Sequence, residues 1–381
     1  MRIAFYDHSS FRNKPGQGGM SNTIWNLGNQ LSKLGEDVTI FGSYKSNKYP
    51  YKNIKVIQID SPDWMNRNIV FKSFILLKIW KQLTIGNYDI VHLRDYYDSG
   101  VLSTLPLTPP IAITVPGNVY QREALGLKYF DPITKTIYKI SARLTAKRCA
   151  HVIATSQEMR DWWIFIGVNP LRISTIPLGV DTNLFKPIQN AQNIIGFDRE
   201  KFHLLYVGRL SSNIKQIPFL LETTSILTKN ISNVELHFVG RGEHENEIKQ
   251  ITIDKGLEKF VKFHGWIYHD KLPLYYSASD ICILTSASEP FGRVMLEAMA
   301  CETPFLGPKM GGMADHIDNG KNGYLAKMNT PEELAKQLNE LLSENNLLTI
   351  IGKNGREYIN ENLTWENIAG KVRNEVYTNI I

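Results

Sequence analysis

Cysteine is scarce in this chain of 381 residues, which holds three: Cys149, Cys282 and Cys301. Their spacing fits no metal-binding pattern, so we expect reduced, mostly buried thiols, with neither a disulfide framework nor a cysteine metal site. Long apolar runs are also lacking: no stretch of about 18 uncharged apolar residues occurs, so a membrane-spanning helix is not expected. The opening Met-Arg-Ile-Ala-Phe-Tyr has the pattern of a strand rather than a secretory signal. These absences predict a cytoplasmic protein.

The charge is unevenly distributed along the chain. Residues 1–190 hold 23 Lys/Arg and 13 Asp/Glu, a net of +10, whereas residues 191–381 hold 20 and 24, a net of −4. A basic half can meet anionic lipid, phosphorylated acceptors or nucleic acid. Because no groove-reading motif accompanies the charge, nucleic acid is not an expected partner. Peripheral contact of the first half with an anionic membrane remains an open hypothesis.

The pattern of apolar residues alternates between strand-like and helix-like stretches, twice over. The length of the chain indicates two domains, and the polar stretch 181–198, which lacks any period, is read as the linker. The predicted strands are 2–6, 38–41, 54–59, 90–93, 111–115, 152–155, 202–207, 235–239, 261–264, 281–284 and 304–306. The predicted helices include 20–34, 69–83, 128–148, 331–342, 347–360 and 365–377. This order predicts an α/β protein of two Rossmann-like, doubly wound domains facing a cleft.

Two of the predicted helices carry several basic residues among apolar ones. Residues 69–83 include Lys72, Lys78 and Lys81, and residues 128–148 are similarly basic. Either helix could lie on an anionic membrane surface. The alternative, which we favour, is an ordinary crossover helix with a solvated basic face.

The stretch from Glu289 to Glu297, Glu-Pro-Phe-Gly-Arg-Val-Met-Leu-Glu, is the strongest candidate for a functional site. It follows a buried strand and leads into a helix, which places Glu289 in a strand-to-helix loop and Glu297 about two turns into the helix. In open α/β sheets, ligands bind at the carboxyl ends of strands. Carboxylates there can accept hydrogen bonds from sugar hydroxyls, and the helix start favours anionic groups. The stretch therefore indicates a nucleotide-sugar pocket; a plain helix cap and a surface glutamate are the alternative.

Other strands of the second half also end in glycine or charged residues. The first of them ends with Gly208 and Arg209, and Lys215 follows in the next loop; an Arg and a Lys at strand ends can neutralise a diphosphate. The next strands are followed by Val239-Gly-Arg241-Gly, by Gly265-Trp266-Ile267 and by Met310-Gly-Gly-Met313. In the first half, Gly18 and Gly19 precede a helix but miss the dinucleotide-binding spacing, so they indicate a phosphate-binding turn only weakly.

With these motifs the chain resembles the retaining glycosyltransferases of family 4, which have two Rossmann-like domains (the GT-B fold). The resemblance spans nearly the whole chain and is carried by seven motifs. They are Gly18-Gly19, Gly179-Val-Asp181, Val207-Gly-Arg-Leu210, Val239-Gly-Arg-Gly242, Glu289-Pro-Phe-Gly292, Glu297-Ala-Met-Ala300 and Gly311-Gly312. The two glutamates separated by seven residues are the most specific element. The expected domains are 1–185 for the acceptor, 186–364 for the nucleotide-sugar donor, and a C-terminal helix, 365–381, packing back toward the first.

The resemblance implies roles for individual residues. Catalytic roles fall to Glu289, which would hold hydroxyls of the donor sugar, and to Arg209 and Lys215, which would clamp the diphosphate. Glu297 would accept from the ribose hydroxyls. The other donor contacts would come from Gly18, Gly19, Gly208, Arg241, Trp266, Ile267, Pro290, Phe291 and Gly292. Candidate acceptor contacts are His92, Arg94, Asp95 and Asn118, with a structural role for His92 equally open. No cofactor and no metal ion are implied, since the two cations would do the electrostatic work.

The chain departs from the family pattern at four positions. Pro116 stands where many relatives have a histidine that touches the donor sugar, and Asn118 is a candidate substitute. Lys215 lies one residue further from Arg209 than is usual. Glu302 replaces a common glycine, and Asp315 replaces a frequent glutamate.

The expected function is metal-independent, retaining transfer of a sugar from a nucleoside diphosphate to a glycan, lipid-linked or small-molecule hydroxyl. The alternatives are a nucleotide-sugar epimerase or hydrolase of the same architecture and an inactive nucleotide-sugar-binding subunit.

Overall fold

The computed structural model describes residues 1–7, 19–44, 49–59, 69–115 and 132–381. Gly18, Pro116 and Asn118 lie outside these ranges, so the predictions made for them are not addressed by the structure. The chain forms two compact units, Met1–Gly179 with Trp365–Ile381, and Val180–Thr364. Phe185, which the predicted boundary assigns to the first domain, lies in the second unit, where its ring packs against His269 and Tyr276. The domain limits inferred from composition stay a prediction.

The described part of the first unit contains one parallel sheet. Its strands are β1 (Arg2–Asp7), β2 (Asp37–Gly42), β3 (Lys55–Gln58), β4 (Ile90–Leu93), β5 (Ile111–Thr114), β6 (His151–Ala154) and β7 (Ile173–Thr175), in the order β3-β2-β1-β4-β5-β6-β7. All observed pairings are parallel. Apart from the edge strands β3 and β7, these strands are buried nearly throughout, which explains their continuous apolar runs. Strand β7 was not predicted, because three residues in the sequence Ile-Ser-Thr give too short a pattern.

Helices connect these strands, and the helical segments that follow the second unit in the chain also belong to the first unit. They are α1 (Gly19–Lys33), α2 (Ile69–Ile85), α3 (Tyr96–Leu102), α4 (Pro132–Arg148), α5 (Gln157–Phe165) and, after the second unit, α15 (Trp365–Lys371), the π-helical turn Val372–Tyr377 and α16 (Thr378–Ile380). Gly35 follows α1 with a φ of +88°, the left-handed conformation that commonly ends a helix. Helix α15 packs against α1. Among the described residues, no helix is both long and apolar enough to cross a bilayer.

A buried polar cluster under α2 corrects one sequence prediction. Lys72 was expected on a solvated or membrane-facing surface, but its side chain is 9% exposed. Its Nζ lies 2.8 Å from Asp98 Oδ1 and 3.5 Å from Asp95 Oδ1, and it sits over the ring of Tyr97. These ion pairs explain how a lysine can be buried here, because a buried ammonium is tolerated when carboxylates face it.

The second unit, residues 180–364, repeats the architecture with a six-stranded parallel sheet. Its strands are β8 (Phe202–Val207), β9 (Val234–Val239), β10 (Val261–Gly265), β11 (Ile281–Ile283), β12 (Phe305–Pro308) and β13 (Tyr324–Ala326), in the order β10-β9-β8-β11-β12-β13. Its helices are α6 (Ala191–Ile195), α7 (Ser212–Lys215), α8 (Ile217–Leu227), α9 (Glu245–Asp254), α10 (Leu272–Ser277), α11 (Arg293–Ala300), α12 (Gly311–His316), α13 (Pro331–Leu342) and α14 (Asn345–Asn362). The predicted α/β class with two doubly wound sheets is thereby confirmed.

The stretch predicted as a structureless linker contains a short helix, α6. Ala191 and Phe197 are buried against Ala278 in a small apolar cluster. Gly196 ends the helix in the left-handed conformation, with a φ of +75°. The helix is one turn long and its neighbours are Asn and Gln, so it lacks the period that would have shown it in the sequence.

Candidate active site

The sheet of the second unit has a topological switch point between β8 and β11. From β8 the chain winds outward through β9 and β10, and then returns to place β11 on the other side of β8. In open α/β sheets the loops on the two sides of such a point diverge and leave a crevice for ligands. Arg209 and Lys215 follow β8, and Glu289 follows β11. The sequence-predicted catalytic residues therefore belong to the two loops that border the switch point.

Lys215 and Glu289 meet directly. Lys215 Nζ lies 2.5 Å from Glu289 Oε2 and donates to Ser286 Oγ at 3.2 Å. Both charged side chains are about one-fifth exposed: 19% for Lys215 and 20% for Glu289. The ammonium and carboxylate are therefore shielded from bulk water on most sides while remaining accessible to a ligand.

Backbone contacts hold the two loops in this register. Thr285 Oγ1 donates to the carbonyl of Lys215 at 2.9 Å, and Ala287 N donates to the carbonyl of Ile214, also at 2.9 Å. Gln216 follows in the left-handed conformation, with a φ of +51°, and turns the chain from α7 into α8. This turn directly follows Lys215, whose Nζ reaches Glu289.

Glycines of the next loop support the turn that carries Glu289. Gly311 has a φ of +50°, and a Cβ there would lie 2.3 Å from the carbonyl oxygen of Glu289 and 2.4 Å from that of Pro290. A Cβ on Gly312 would meet the ring of Phe291 at 2.5 Å. Gly292 is left-handed, with a φ of +87°, and caps α11. Only glycine allows the start of α12 to pack this closely on the Glu-Pro-Phe-Gly turn.

In the loop that carries Glu289, the hydroxyl of Ser288 has no hydrogen-bond partner among the described residues. Ser288 Oγ is buried and, among the residues that the structure describes, nothing hydrogen-bonds to it. Buried polar atoms are nearly always paired, so an orphan beside a charged pair is a candidate ligand contact. Ser288 was not among the sequence-predicted residues, since a serine before Glu-Pro carries no distinguishing signal.

Glu297 lies in α11, one turn after Arg293 rather than about two turns into the helix as predicted, because α11 begins at Arg293. Its side chain is 9% exposed and accepts from Tyr276 OH at 2.9 Å. His269 Nε2 and Arg293 Nη2 lie 3.5 Å and 3.6 Å from Oε1. Burial raises the pKa of Glu297, but these three donors outweigh burial and leave the pKa below its ordinary value. Glu297 is therefore an ionised acceptor held in a fixed position.

Arg209 forms an ion pair with Glu243, and its predicted contact with a diphosphate stays a prediction. Its Nε donates to Glu243 Oε2 at 2.7 Å, and its side chain is 62% exposed. Burial raises the pKa of Glu243, whereas its own backbone N–H and Arg209 lower it, and the net shift is downward. The observed contacts therefore pair Lys215 with Glu289 and Arg209 with Glu243. An exposed ion pair of this kind is weak, so the guanidinium can turn to another anion at small cost.

The loops after β8 and β9 approach each other closely. Gly208 N donates to the carbonyl of Val239 at 2.9 Å, and Leu210 N donates to that of Arg241 at 3.1 Å. A Cβ on Gly240 would lie 1.8 Å from the carbonyl oxygen of Gly208. Gly208, which was predicted to contact the donor, thus packs closely against the backbone of Gly240 at this sheet edge.

The loop after β10 presents an exposed aromatic ring at this edge. Trp266 is 64% exposed, Ile267 is half-buried, and the guanidinium of Arg241 lies beside Gly265. A large exposed ring is suited to stack on a flat ligand group.

In the first unit, His92 has the contacts of a structural residue. The side chain is buried, its Nδ1 lies 2.5 Å from Tyr377 OH, and its Nε2 lies 2.8 Å from Thr114 Oγ1. The ring also stacks on Phe5. Burial, assisted by the nearby positive charge of Arg94, lowers the pKa of His92 to about 3. These contacts favour the structural alternative, and an acceptor role stays a prediction.

Arg94 and Asp95 follow β4, beside the switch point between β1 and β4 in the first sheet. Arg94 is buried. Asp95 caps α3, accepting from the N–H of Tyr97 at 2.7 Å, and its side chain is 22% exposed. A helix cap explains Asp95 without a ligand.

Comparison with known protein families identifies the two units. The description "Glycosyltransferase Family 4" matches residues 17–184, and "Glycosyl transferases group 1" matches residues 187–358. Together the two matches span most of the chain. The protein belongs to the family 4 glycosyltransferases. The recognition made from the sequence motifs is confirmed, and the protein is a glycosyltransferase enzyme of the GT-B fold.

Individual relatives are similar over nearly the full length of this glycosyltransferase. The MMP α-(1→4)-mannosyltransferase of Mycolicibacterium hassiacum is 23% identical over 97% of this chain and 96% of its own. Among solved structures, a sucrose-phosphate synthase from Thermosynechococcus elongatus aligns with a TM-score of 0.83 at 21% identity, covering 99% of both chains. Anabaena HepE in complex with UDP-glucose aligns with a TM-score of 0.78 at 21% identity, covering 99% of this chain and 100% of HepE.

Further residues of the glycosyltransferase contact the predicted site residues but were not predicted to do so. Ser286 binds Lys215, Glu243 binds Arg209, and Tyr276 donates to Glu297. Ser286 and Glu243 each follow a strand, so their position after a strand end could have marked them as candidate site residues in the sequence. Tyr276 lies in α10, twenty-one residues before Glu297, and nothing in local spacing links the two.

Proposed function

We propose that this glycosyltransferase moves a sugar from a nucleoside diphosphate to an acceptor hydroxyl with retention of anomeric configuration and without a catalytic metal ion. The observation that carries the proposal is the Lys215–Glu289 pair at the switch point of the second sheet. It offers a cation for phosphate and a carboxylate for sugar hydroxyls within one hydrogen-bond length of each other. The similarity to HepE, which was solved with UDP-glucose, supports a donor of this class.

Each group has a role that follows from its charge and exposure. Lys215 and the readily redirected Arg209 would hold the diphosphate and stabilise the negative charge that develops on it as the bond to the sugar breaks. Glu289 would orient the sugar, and Glu297, kept ionised by its neighbours, would accept from the ribose hydroxyls. Trp266 would lie near the base. These preorganised cations replace the charge that a bound Mg²⁺ supplies in other transferases.

In the proposed reaction the bond from the anomeric carbon to the phosphate oxygen breaks, and a bond to the acceptor oxygen forms on the same face of the sugar. The acceptor proton passes to a departing phosphate oxygen, so atoms and charge balance without a protein nucleophile. The candidate acceptor contacts, Arg94 and Asp95, follow β4 at the carboxyl edge of the first sheet.

A donor panel tests the proposal. Release of nucleoside diphosphate would be followed from UDP-, GDP-, ADP- and dTDP-sugars, with and without pooled glycan, lipid-linked and small-molecule acceptors. Release that requires an acceptor is the expected result, with the anomeric configuration of the product read by NMR. Release from donor alone would indicate a hydrolase, an altered sugar on the nucleotide an epimerase, and binding without turnover an inactive subunit.

We also propose that the first unit contacts anionic membranes through the outer face of α2. Phe74 and Leu77 are 56% and 43% exposed, and Lys78 and Lys81 lie on the same exposed face at helical spacing. Exposed apolar side chains flanked by lysines suit the boundary between acyl chains and anionic headgroups.

Vesicle co-sedimentation checks this contact. Binding should be stronger to anionic than to neutral vesicles and weaker at high salt. Reversing Lys78 and Lys81 to Glu should abolish it, whereas reversing Lys336 and Lys353 in the second unit changes net charge equally and should not. Equal sedimentation with neutral and anionic lipid would refute the contact.

A further inference from the structure

Three histidines and a glutamate cluster on one face of the second sheet, away from the candidate active site. His203 is the second residue of β8, and Glu235 is its register partner on β9. His237 lies two residues further along β9 on the same face, and His264 lies on β10. His203 and Glu235 are near the amino ends of their strands, whereas Arg209 follows the carboxyl end of β8. The proposed reaction uses none of these residues.

The ligand atoms of three of them converge. His203 Nδ1 lies 2.9 Å from His237 Nε2, and Glu235 Oε2 lies 3.7 Å from the same nitrogen. One ligand atom from each of His203, His237 and Glu235 lies within 4.8 Å of the other two. In a tetrahedral zinc site with metal–ligand bonds of about 2.0–2.1 Å, ligand atoms are roughly 3.3 Å apart. The observed separations bracket that spacing, so an ion could enter with small side-chain shifts.

The opposite polar atom of each of the three residues is held by a separate partner. His203 Nε2 donates to the carbonyl of Asp198 at 2.8 Å, and His237 Nδ1 pairs with His264 Nε2 at 3.0 Å. Glu235 Oε1 accepts from Lys201 Nζ at 2.7 Å. Outer hydrogen bonds of this kind fix the ring orientation of metal-binding histidines and are a regular feature of metal sites.

An aromatic ring packs against the proposed ligands. The ring of Phe197 stacks on His237 with centroids 3.9 Å apart. This stacking helps to fix the plane of the His237 imidazole.

We propose that His203, His237 and Glu235 bind a divalent transition-metal ion of the zinc type, which ties β8 to β9. His203 Nδ1, His237 Nε2 and Glu235 Oε2 are the ligand atoms, and a water molecule completes four-coordination. Imidazole and carboxylate ligands suit zinc, and the spacing of the site is too small for the six to eight oxygen ligands of calcium.

Proton positions balance when the ion binds. The Asp198 carbonyl can only accept, so His203 carries its proton on Nε2 and leaves Nδ1 free for the metal. His237 Nε2 gives up its proton while Nδ1 gains one, and Nδ1 then donates to His264 Nε2. His264 shifts its own proton from Nε2 to Nδ1, and no proton is released overall.

Zinc titration of tag-free, chelator-treated protein tests the site, using ZnCl₂ alone as the probe in isothermal titration calorimetry. One high-affinity zinc per chain is expected, with a melting temperature that rises on addition of zinc and falls back with EDTA. Glu235→Gln should weaken binding by about 100-fold. His316→Gln is the matched control, because His316 lies in the same unit, pairs with Tyr358, and should leave affinity and stoichiometry unchanged.

Wild-type protein alone supplies a second measurement should Glu235→Gln fail to fold. Cobalt(II) in the site should give the strong visible absorption of four-coordinate cobalt, and zinc should displace it. Weak six-coordinate absorption, zinc affinity equal in wild type and Glu235→Gln, or an unchanged melting temperature would overturn the proposal in favour of a purely hydrogen-bonded histidine row. Donor turnover should persist in EDTA, which separates this site from the proposed active site.

Discussion

Lys215 Nζ lies 2.5 Å from Glu289 Oε2, although the two residues are seventy-four positions apart and belong to different strand-to-helix connections. The contact exists because β8 and β11 are neighbours at the switch point and because hydrogen bonds from Thr285 and Ala287 fasten one loop to the other. The two opposite charges neutralise each other in this structure, and the proposed function requires them to separate around a sugar diphosphate.

Replacing Glu289 tests its place at the donor. Glu289→Ala should lower kcat by on the order of 100-fold or more, comparable to the loss of one electrostatic group in a preorganised site. The protein should stay folded, since the carboxylate is partly exposed. Steady-state kinetics with circular dichroism check both points, and Glu340→Ala, an exposed glutamate on α13, is the control. Kinetics equal to wild type would exclude Glu289 from the donor site.

Two substitutions at Lys215 separate charge from shape. Lys215→Met keeps the length of the side chain and removes its charge, so kcat/KM should fall by about 100-fold or more. Lys215→Arg keeps the charge and should retain more activity than the Met variant. The comparison is made at saturating and limiting donor. A Met variant as active as the Arg variant would show that the ammonium does not act on the diphosphate.

Gly311→Ala should distort the turn that carries Glu289, because Gly311 packs against the backbone of that turn. A Cβ at this position would overlap the carbonyl oxygens of Glu289 and Pro290, in addition to the strain of a left-handed residue. Gly320 is also left-handed, with a φ of +81°, but has nothing within 4 Å of an added Cβ. Gly320→Ala should therefore cost only the backbone strain, about 1–2 kcal/mol of unfolding free energy. Gly311→Ala should lower the unfolding free energy by more than Gly320→Ala does, and it should also reduce turnover. Urea titration and steady-state kinetics of the two variants measure these effects. Equal losses of unfolding free energy in the two variants would refute the packing argument.

The lowered pKa of His92 predicts that the folded protein loses stability in acid. Its pKa is lowered to about 3 in the folded protein, against an ordinary value of about 6.5, so the unfolded chain takes up a proton that the folded chain does not. Stability is therefore complete above about pH 6.5 and is lost as the pH falls toward 3, by about 2 kcal/mol at pH 5. His92→Gln can keep a polar contact with Tyr377 or Thr114 without titrating.

Urea unfolding of wild type and His92→Gln at pH 7.5 and pH 5 measures this difference. The wild type should lose more unfolding free energy than the variant over that interval. Identical losses of unfolding free energy in the two proteins would mean that the pKa of His92 is not lowered by folding. That result would contradict the burial of its ring.

The sequence predicted the class of fold because both sheets are buried on two faces, which gives strands such as Ile281–Ile283 their continuous apolar runs. Glu289 and Glu297 were recognised for a related reason: the loop follows such a strand, and its glycine turn is local. Strands β7 and β13 were missed because both are short strands at the edges of their sheets, and β7 contains a single apolar residue.

Contacts between distant segments could not be predicted in the same way. The pairing of Lys72 with Asp98 buries one lysine of a helix whose other lysines, Lys78 and Lys81, are exposed. Buried Glu297 likewise contacts Tyr276 and His269 from other elements. Such contacts arise from the order of strands in the sheet, which spacing along the chain does not reveal. Glu302 is an instructive intermediate case. The family resemblance led us to expect glycine at this position, and the left-handed φ of +60° of Glu302 is a conformation that glycine adopts without strain.

The central claim, that the switch-point loops of the second sheet bind a nucleoside diphosphate sugar, is tested most directly by a crystal structure with the donor that turns over in the panel. The account predicts the diphosphate within hydrogen-bond distance of Lys215 and Arg209, the sugar hydroxyls on Glu289, and the ribose on Glu297. A donor bound elsewhere, with Lys215 and Glu289 still paired to each other and Arg209 still on Glu243, would contradict it.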